Sequence, residues 1–240
     1  MKLSVVIPTL NEEKYVGNLL NCLANQDFKD FEVLVVDADS KDKTEEEVLK
    51  FKDKLNICFI KSPKRGVAFQ RNYGAKKAKN EFIVFFDADL KMESRFLSKL
   101  VKVLKKRNPS MVTSYFKPQS NKLIHYILMG FYNTYTELAQ LFDPIATGAF
   151  ICVNKKHFLE VGGFSEEVLI YEDSYLARVM HKKGYKYTLL RFPAPEFSMR
   201  RIEKMGLKQY LKESRKAVIA YLEEGKVSKN KDIDYKFGEF

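Results

Sequence analysis

The sequence predicts an α/β protein, with a mostly parallel sheet and helices on both of its faces. Two observations predict it. Short apolar, β-branched runs alternate with amphipathic helical patterns four times within residues 1–107, the rhythm of successive strand–helix units. Three of those four runs end in chemically loaded loops, "PTLNEE", "DADSKD" and "DADL", and ligands of parallel sheets bind beyond the carboxyl ends of the strands.

The first run, "LSVVIP" (Leu3 to Pro8), is closed by proline and reads as a buried strand. Asn11 is a good N-cap for the helix that follows, where Val16, Leu19, Leu20 and Leu23 share one face. "FEVLVVDAD" is the second strand. Thr44 and Glu47 form a capping box opening a helix through Val48 and Phe51. "NICFIKS" is the third strand, "GVAFQRNYGAKKAK" a helix despite its internal Gly74, and "EFIVFFDAD" the fourth strand. Leu97, Leu100, Val101 and Leu104 mark the next helix. The second half is less regular. "MVTSYF" and "AFICVN" read as strands, and "NKLIHYILMGFYNTYTELAQLF" as a long helix with Ile124, Ile127, Leu128 and Phe131 on one face. A helix from Glu172 to Lys183 is stopped by Gly184. A last one runs from about Gly206 to Glu224 with Leu207, Leu211, Val218 and Leu222 inward, and the mixed-charge tail, residues 226–240, is expected to fray.

At 240 residues the chain fits one domain, or one domain with an attached subregion. Its 42 basic against 31 acidic residues leave a net charge of +11, which draws polyanions such as nucleic acid, anionic lipid or phosphorylated small molecules. Cys22, Cys58 and Cys152 show neither a metal spacing nor an even count, so reduced core thiols are expected. The N-terminus lacks a signal-peptide apolar region, and the longest apolar stretch, Leu123 to Tyr132, is about half a bilayer span. A cytoplasmic location is expected.

Asp87 and Asp89 in "FFDADL" repel each other unless something positive sits between or beside them. As an isolated pair they would be two solvated turn residues. At a strand's carboxyl end, they also suit a hard divalent cation, Mg²⁺ or Mn²⁺, whose shell is completed by water and phosphate oxygens. The other loops suit a nucleotide. Asp37 and Asp39 can accept hydrogen bonds from base or ribose, and Thr9, Asn11 and Glu12 sit where a helix begins. Neither a Walker A sequence nor GxGxxG occurs, so a Gly-rich loop does not cradle the phosphate. Arg65 and Arg71 could reach phosphates or simply face solvent.

"VVIPTLNEE", "VLVVDADSKDKT", "RGVAFQRNYGAKKAKNEFIVFFDADL" and "VGGFSEEVLIYEDSYLARVMHKKGYK", in this order, resemble the family 2 glycosyltransferases over roughly residues 2–190. The resemblance implies the GT-A fold, a Rossmann-like mostly parallel sheet. It implies transfer of a sugar from a nucleoside diphosphate sugar, UDP- or GDP-linked, usually with inversion and with Mg²⁺ or Mn²⁺. Residues 1–107 would be the donor half, and 108–225 the acceptor half of the same domain. Carried over by position, Pro8, Thr9 and Glu12 line the nucleoside pocket with Asp37 and Asp39. Asp87 lies by the ribose or metal and Asp89 is the metal ligand. In the "ED" pair Asp173 is the catalytic base and Glu172 its neighbour on the acceptor side. The chain departs from the pattern at Ala38, where many members carry a second acid, which leaves the base specificity open. "SMRR" (Ser198 to Arg201) either closes over the diphosphate or is a basic surface patch.

The chemistry supports one base independently: inverting transfer needs one carboxylate to deprotonate an acceptor hydroxyl. The alternative for Asp173 is an acid that balances a helix dipole. A metal-dependent nucleotidyltransferase and a basic nucleic-acid-binding protein are the rival readings. The first ordinarily carries a Gly-rich basic loop, and no nucleic-acid motif is visible for the second. The acceptor would be a glycan or a lipid-linked sugar. Leu123 to Phe142 is either a core helix against the sheet or an apolar surface that meets an anionic membrane peripherally.

Overall fold

A computed structural model of the chain describes residues 1–140, 142–224 and 227–228. Four strand–helix units come first: β1 (Leu3–Thr9), α1 (Val16–Ala24), β2 (Phe31–Asp37), α2 (Thr44–Leu49), β3 (Ile57–Lys61), α3 (Val67–Lys77), β4 (Phe82–Phe86) and α4 (Phe96–Arg107). Then follow β5 (Met111–Ser114), β6 (Lys117–Pro118), α5 (Leu123–Ala139), β7 (Phe150–Asn154), α6 (Lys155–Glu160), β8 (Val168–Ile170) and α7 (Glu172–Lys182). The chain continues through β9 (Tyr187–Leu190), β10 (Glu196–Phe197), α8 (Arg200–Met205), α9 (Leu207–Glu224) and β11 (Val227–Ser228).

Seven strands form one sheet in the order β3-β2-β1-β4-β7-β5-β9. All run parallel except β7, which lies antiparallel between β4 and β5. Side chains of a strand alternate between faces, so Val5 and Ile7 join the core under α1 and α4, while Val6 joins the core under α3, α6 and α7. Strand order reverses at β1, which is flanked by β2, reached through α1 on one face, and by β4, reached through α3 on the other; such a switch point is where a parallel sheet opens a crevice at the carboxyl ends of its strands.

Helix α3 lies close to the sheet for a reason visible in one residue. A Cβ at Gly74 would stand 2.4 Å from Val6 Cγ1 and 3.1 Å from Val36 Cγ2, so the helix seats against β1 and β2 only without a side chain there. One turn earlier the buried Gln70 amide donates to the Thr9 and Val36 carbonyls at 2.9 and 2.6 Å. These contacts fix the next residue, Arg71.

Several local expectations are corrected. Asn11 is not an N-cap: α1 begins at Val16, and Asn11, at φ 56°, instead ties two loops by donating its N–H to Ser40 Oγ and accepting from the Lys41 N–H. Thr44 makes no capping box, because its hydroxyl is bonded to Asp42 and accepts the Glu12 N–H at 2.8 Å. Only Cys152 is a buried thiol, and burial pushes its pKa up. Cys58 is exposed because β3 is an edge strand paired on one side. Leu211 and Val218 face outward rather than inward. Leu222 and residues 229–240 lie outside what can be described in side-chain detail.

Candidate active site

Sequence neighbours in a parallel sheet deliver their loops to one edge, and the loops after β1, β2 and β4 meet there. Asp37, at the end of β2, is buried and its carboxylate is consumed internally: it accepts from the Thr9 hydroxyl at 3.0 Å and from the backbone N–H and hydroxyl of Ser40. Pro8 and Thr9 are likewise buried, in β1. Asp39 instead stands out on a left-handed backbone, φ 66°, 2.6 Å from Lys41 and 3.6 Å from Arg65. Lys41 holds its carboxyl below the usual range. Of the two acids expected to meet a nucleoside, Asp39 is the one open to a ligand.

Arg71 lies at the centre. Its side chain is 2% exposed, yet it neither reaches outward nor faces solvent. Nη2 donates to Asp87 at 2.7 Å and Nη1 to Glu172 at 2.8 Å, so one guanidinium joins the acids after β4 to the start of α7. The two carboxylates keep it firmly protonated. The ring of Phe164 lies 5.2 Å from the guanidinium carbon, and a Cβ at Gly148 would fall 2.3 Å from Nη2. Gly148 is therefore required beside Arg71, which no local pattern in the sequence shows.

Gly148 has a second task. Its N–H donates to Asp173 Oδ2 at 2.6 Å, while Oδ1 accepts the Ser174 N–H at 2.7 Å. Burial, then repulsion from Glu172, raises the Asp173 carboxyl above its ordinary value, with Arg71 opposing. Tyr171, just before the pair, is left-handed at φ 66°, a backbone state that costs a non-glycine residue on the order of 1 kcal/mol. That bend sets Glu172 and Asp173 on the first turn of α7. Asn72, on α3 beside Arg71, holds the adjoining "GGF" loop by both the N–H and the carbonyl of Phe164.

Asp87 keeps 38% of its side chain exposed and Asp89 only 14%. Arg200, from "SMRR" at the start of α8, lies over them. It donates to both oxygens of Glu12 at 2.8 Å, its Nε is 2.9 Å from Asp89, and it stacks on Tyr15 at 4.6 Å. Burial raises the carboxyls of Glu12 and Asp89 despite Arg200. Among the described residues no cluster of three or more His, Cys, Asp or Glu side chains is placed to hold a metal. Two carboxylates one residue apart at a strand end, Asp87 and Asp89, are nonetheless the usual protein share of a Mg²⁺ shell, so the donor set fits a hard cation. The pairing of Arg200 with Glu12 across the chain was not readable from spacing.

The family model for glycosyl transferase family 2 matches residues 4–161. The chain belongs to glycosyl transferase family 2. Over 93 residues it is 45% identical to the poly(ribitol-phosphate) beta-N-acetylglucosaminyltransferase TarS of Staphylococcus aureus, a stretch covering 37% of the chain and 16% of that relative. Over 103 residues it is 34% identical to the GalNAc(5)-diNAcBac-PP-undecaprenol beta-1,3-glucosyltransferase of Campylobacter jejuni, covering 42% and 33%. The chain thus matches a minor part of each of these two relatives. Among solved structures, a mannosyltransferase from Pyrobaculum calidifontis in complex with GDP-Man and Mn²⁺ superposes with a TM-score of 0.75 at 23% identity, covering 94% of this chain and 65% of that one. TarS 1-349 in complex with UDP-GlcNAc gives 0.68 at 24%, covering 82% and 58%. The fold of this family 2 chain is GT-A, as the resemblance implied.

Proposed function

We propose that this family 2 chain transfers a sugar from a UDP- or GDP-linked donor to a hydroxyl of a glycan or lipid-linked acceptor, with inversion and with Mg²⁺ or Mn²⁺. One observation carries the reading: Arg71 bonds Asp87 and Glu172 at once, so the donor-side acids and the "ED" pair lie on either side of a single guanidinium. The relatives bear the names of N-acetylglucosaminyl- and glucosyltransferases, which fits a hexose-type donor. The Campylobacter relative is named for an undecaprenol-linked acceptor.

In this reading Asp173 accepts the proton of the acceptor hydroxyl. That oxygen bonds to the anomeric carbon from the face opposite the diphosphate, and the bond to the diphosphate oxygen breaks with its electron pair. The two backbone N–H groups on Asp173 hold its carboxylate in register. Asp89, with Asp87, would hold the divalent cation, which when bound neutralises charge on the leaving diphosphate. Arg200, resting on Glu12 and Asp89, can add positive charge to the same oxygens. Glu172, bound to Arg71, fixes the wall on the acceptor side. Asp39 and Arg65 would meet the nucleoside.

The test is a thermal-shift and hydrolysis screen of UDP- and GDP-sugars with Mn²⁺ or Mg²⁺. Nucleotide at about 100 times its Kd should raise Tm by on the order of 5–10 °C, only when metal is present. Asp89→Ala should remove that metal-dependent rise. An undiminished rise in the variant would remove Asp89 from the site, and no response to any nucleotide sugar would remove the donor reading.

A further inference from the structure

Helix α5 presents an outward stripe unlike that of any other helix described. Its inward side is made of His125, Met129 and Thr136, all buried, with Leu128 and Tyr132 packed on the core. Its outward side carries Leu123, Ile127, Phe131 and Leu138 at 74%, 45%, 72% and 61% exposure, flanked by Ile124 and Tyr135. These positions recur every three or four residues and so form one continuous strip along the helix. The strip holds no charged residue over seventeen positions of helix, where Gly130 and Thr134 complete it. The sole charge on α5, Glu137, is turned aside into bonds with Tyr115 and Arg191. By contrast α4 turns Lys99, Lys102, Lys105 and Lys106 away from its core face. An uncharged strip of large side chains this long is a binding surface in a soluble chain.

The neighbouring helix names the occupant. Leu207 and Tyr210 of α9 rest on the same core cluster as Leu128 and Tyr132 of α5. Helix α9 exposes Leu211 and Ile219, interspersed with exposed Lys208, Lys212, Arg215 and Lys216. Apolar side chains with lysine and arginine between them are what an interfacial helix shows to anionic lipid. Two copies of a chain carrying a net +11 repel each other, which disfavours a second copy of this chain as the occupant. No described helix is long and apolar enough to cross a membrane, so contact would be at the surface.

We propose that the outward strip of α5, with the basic face of α9, docks this chain on an anionic membrane. The inner side of the same helix borders the acceptor wall: the Tyr132 hydroxyl is bonded to Thr147, next to Gly148, whose N–H holds Asp173. Docking there puts the mouth of the site at the lipid surface. That the acceptor is therefore lipid-borne rests on the transferase reading above; the docking itself does not.

Co-sedimentation with vesicles of phosphatidylcholine, with and without phosphatidylglycerol, tests the docking with no donor present. The chain should pellet with the anionic vesicles at low salt and less at high salt. The double variant F131S/L138S changes only exposed side chains, and should keep its far-UV spectrum, Tm and donor hydrolysis while its vesicle partition coefficient falls about tenfold or more. Lys105→Ser, on α4, should leave it within about twofold. A protein that stays in the supernatant at every salt and lipid composition overturns the proposal. So does F131S/L138S binding as well as the parent, or a concentration-dependent dimer that this variant abolishes. Donor hydrolysis by a parent chain that binds no vesicle would leave the transferase reading standing while the docking falls.

Discussion

Asp173 shows how a side chain's surroundings set its chemistry. Two backbone N–H groups orient it, while burial and Glu172 raise its carboxyl above the ordinary range. Because the folded value is raised, the proton-accepting form is lost as pH falls at a higher pH than for a solvated Asp. With saturating donor and acceptor, kcat should therefore rise with pH along a limb centred above the ordinary carboxylate range. A limb centred within that range would point to another base. Asp173→Asn retains the shape and one of the two backbone N–H contacts but not proton acceptance, so turnover should drop by roughly two to four orders of magnitude with donor affinity unchanged. Near-parental transfer would move the role to Glu172. Arg71 acts differently, as a positioning residue. Replacing it by Met leaves Asp87 and Glu172 opposed with no cation between them. Breaking such a buried pair costs roughly 3 kcal/mol, at the low end of its range because Asp87 is 38% exposed. A loss below about 1 kcal/mol in urea unfolding would refute that role. The sequence proposes Asp173 through a local motif. It could not mark the use of Arg71, because its partners come from elements far apart in the chain.

Strands and helices of the first half were legible because burial imposes a period on the residues themselves: Val16, Leu19, Leu20 and Leu23 are all fully buried on α1. Helix ends were less so. Asn11 and Thr44 had the right chemistry for caps, but their side-chain oxygens found tertiary partners instead. The orientation of α5 was not legible either, since apolar residues occur on both its sides and only packing shows which side the core takes. Helix α3 makes the same point with one glycine. Gly74→Ala should add up to about 1 kcal/mol through helix propensity. Against this, its Cβ would stand 2.4 Å from Val6 Cγ1 on a fully buried strand, and overpacking of that kind costs about 1–3 kcal/mol. Packing wins in this balance, so the variant should lose about 1–2 kcal/mol. Donor affinity should fall too, because Gln70 and Arg71 ride on the displaced helix. A stabilised variant would show that the helix can lift away without strain.

Across the whole molecule, the donor half (residues 1–107) and the acceptor half (108–225) are proposed to be one folding unit rather than two domains. Strand β7 supplies the physical reason: it pairs with β4 along its full length, from Phe82 opposite Asn154 to Phe86 opposite Phe150, and with β5 on its other side. The core beneath α1 and α4 draws Leu3 and Leu20 from one half and Phe150, Leu190 and Ile202 from the other. Phe96 and Phe150 meet edge to face at 5.0 Å across the same division. Cutting the chain after Arg107 would bare the edge of β4 and remove one side of that core. Unfolding in urea should accordingly be a single transition, with tyrosine fluorescence and far-UV circular dichroism coincident; the chain has no tryptophan to confuse the first signal. A fragment of residues 1–107 alone should lack a cooperative transition and aggregate through its open edge. Two separated transitions in the intact chain, or a soluble fragment that melts cooperatively and binds a nucleotide sugar, would make the donor half an independent domain, with the antiparallel strand merely docked on it.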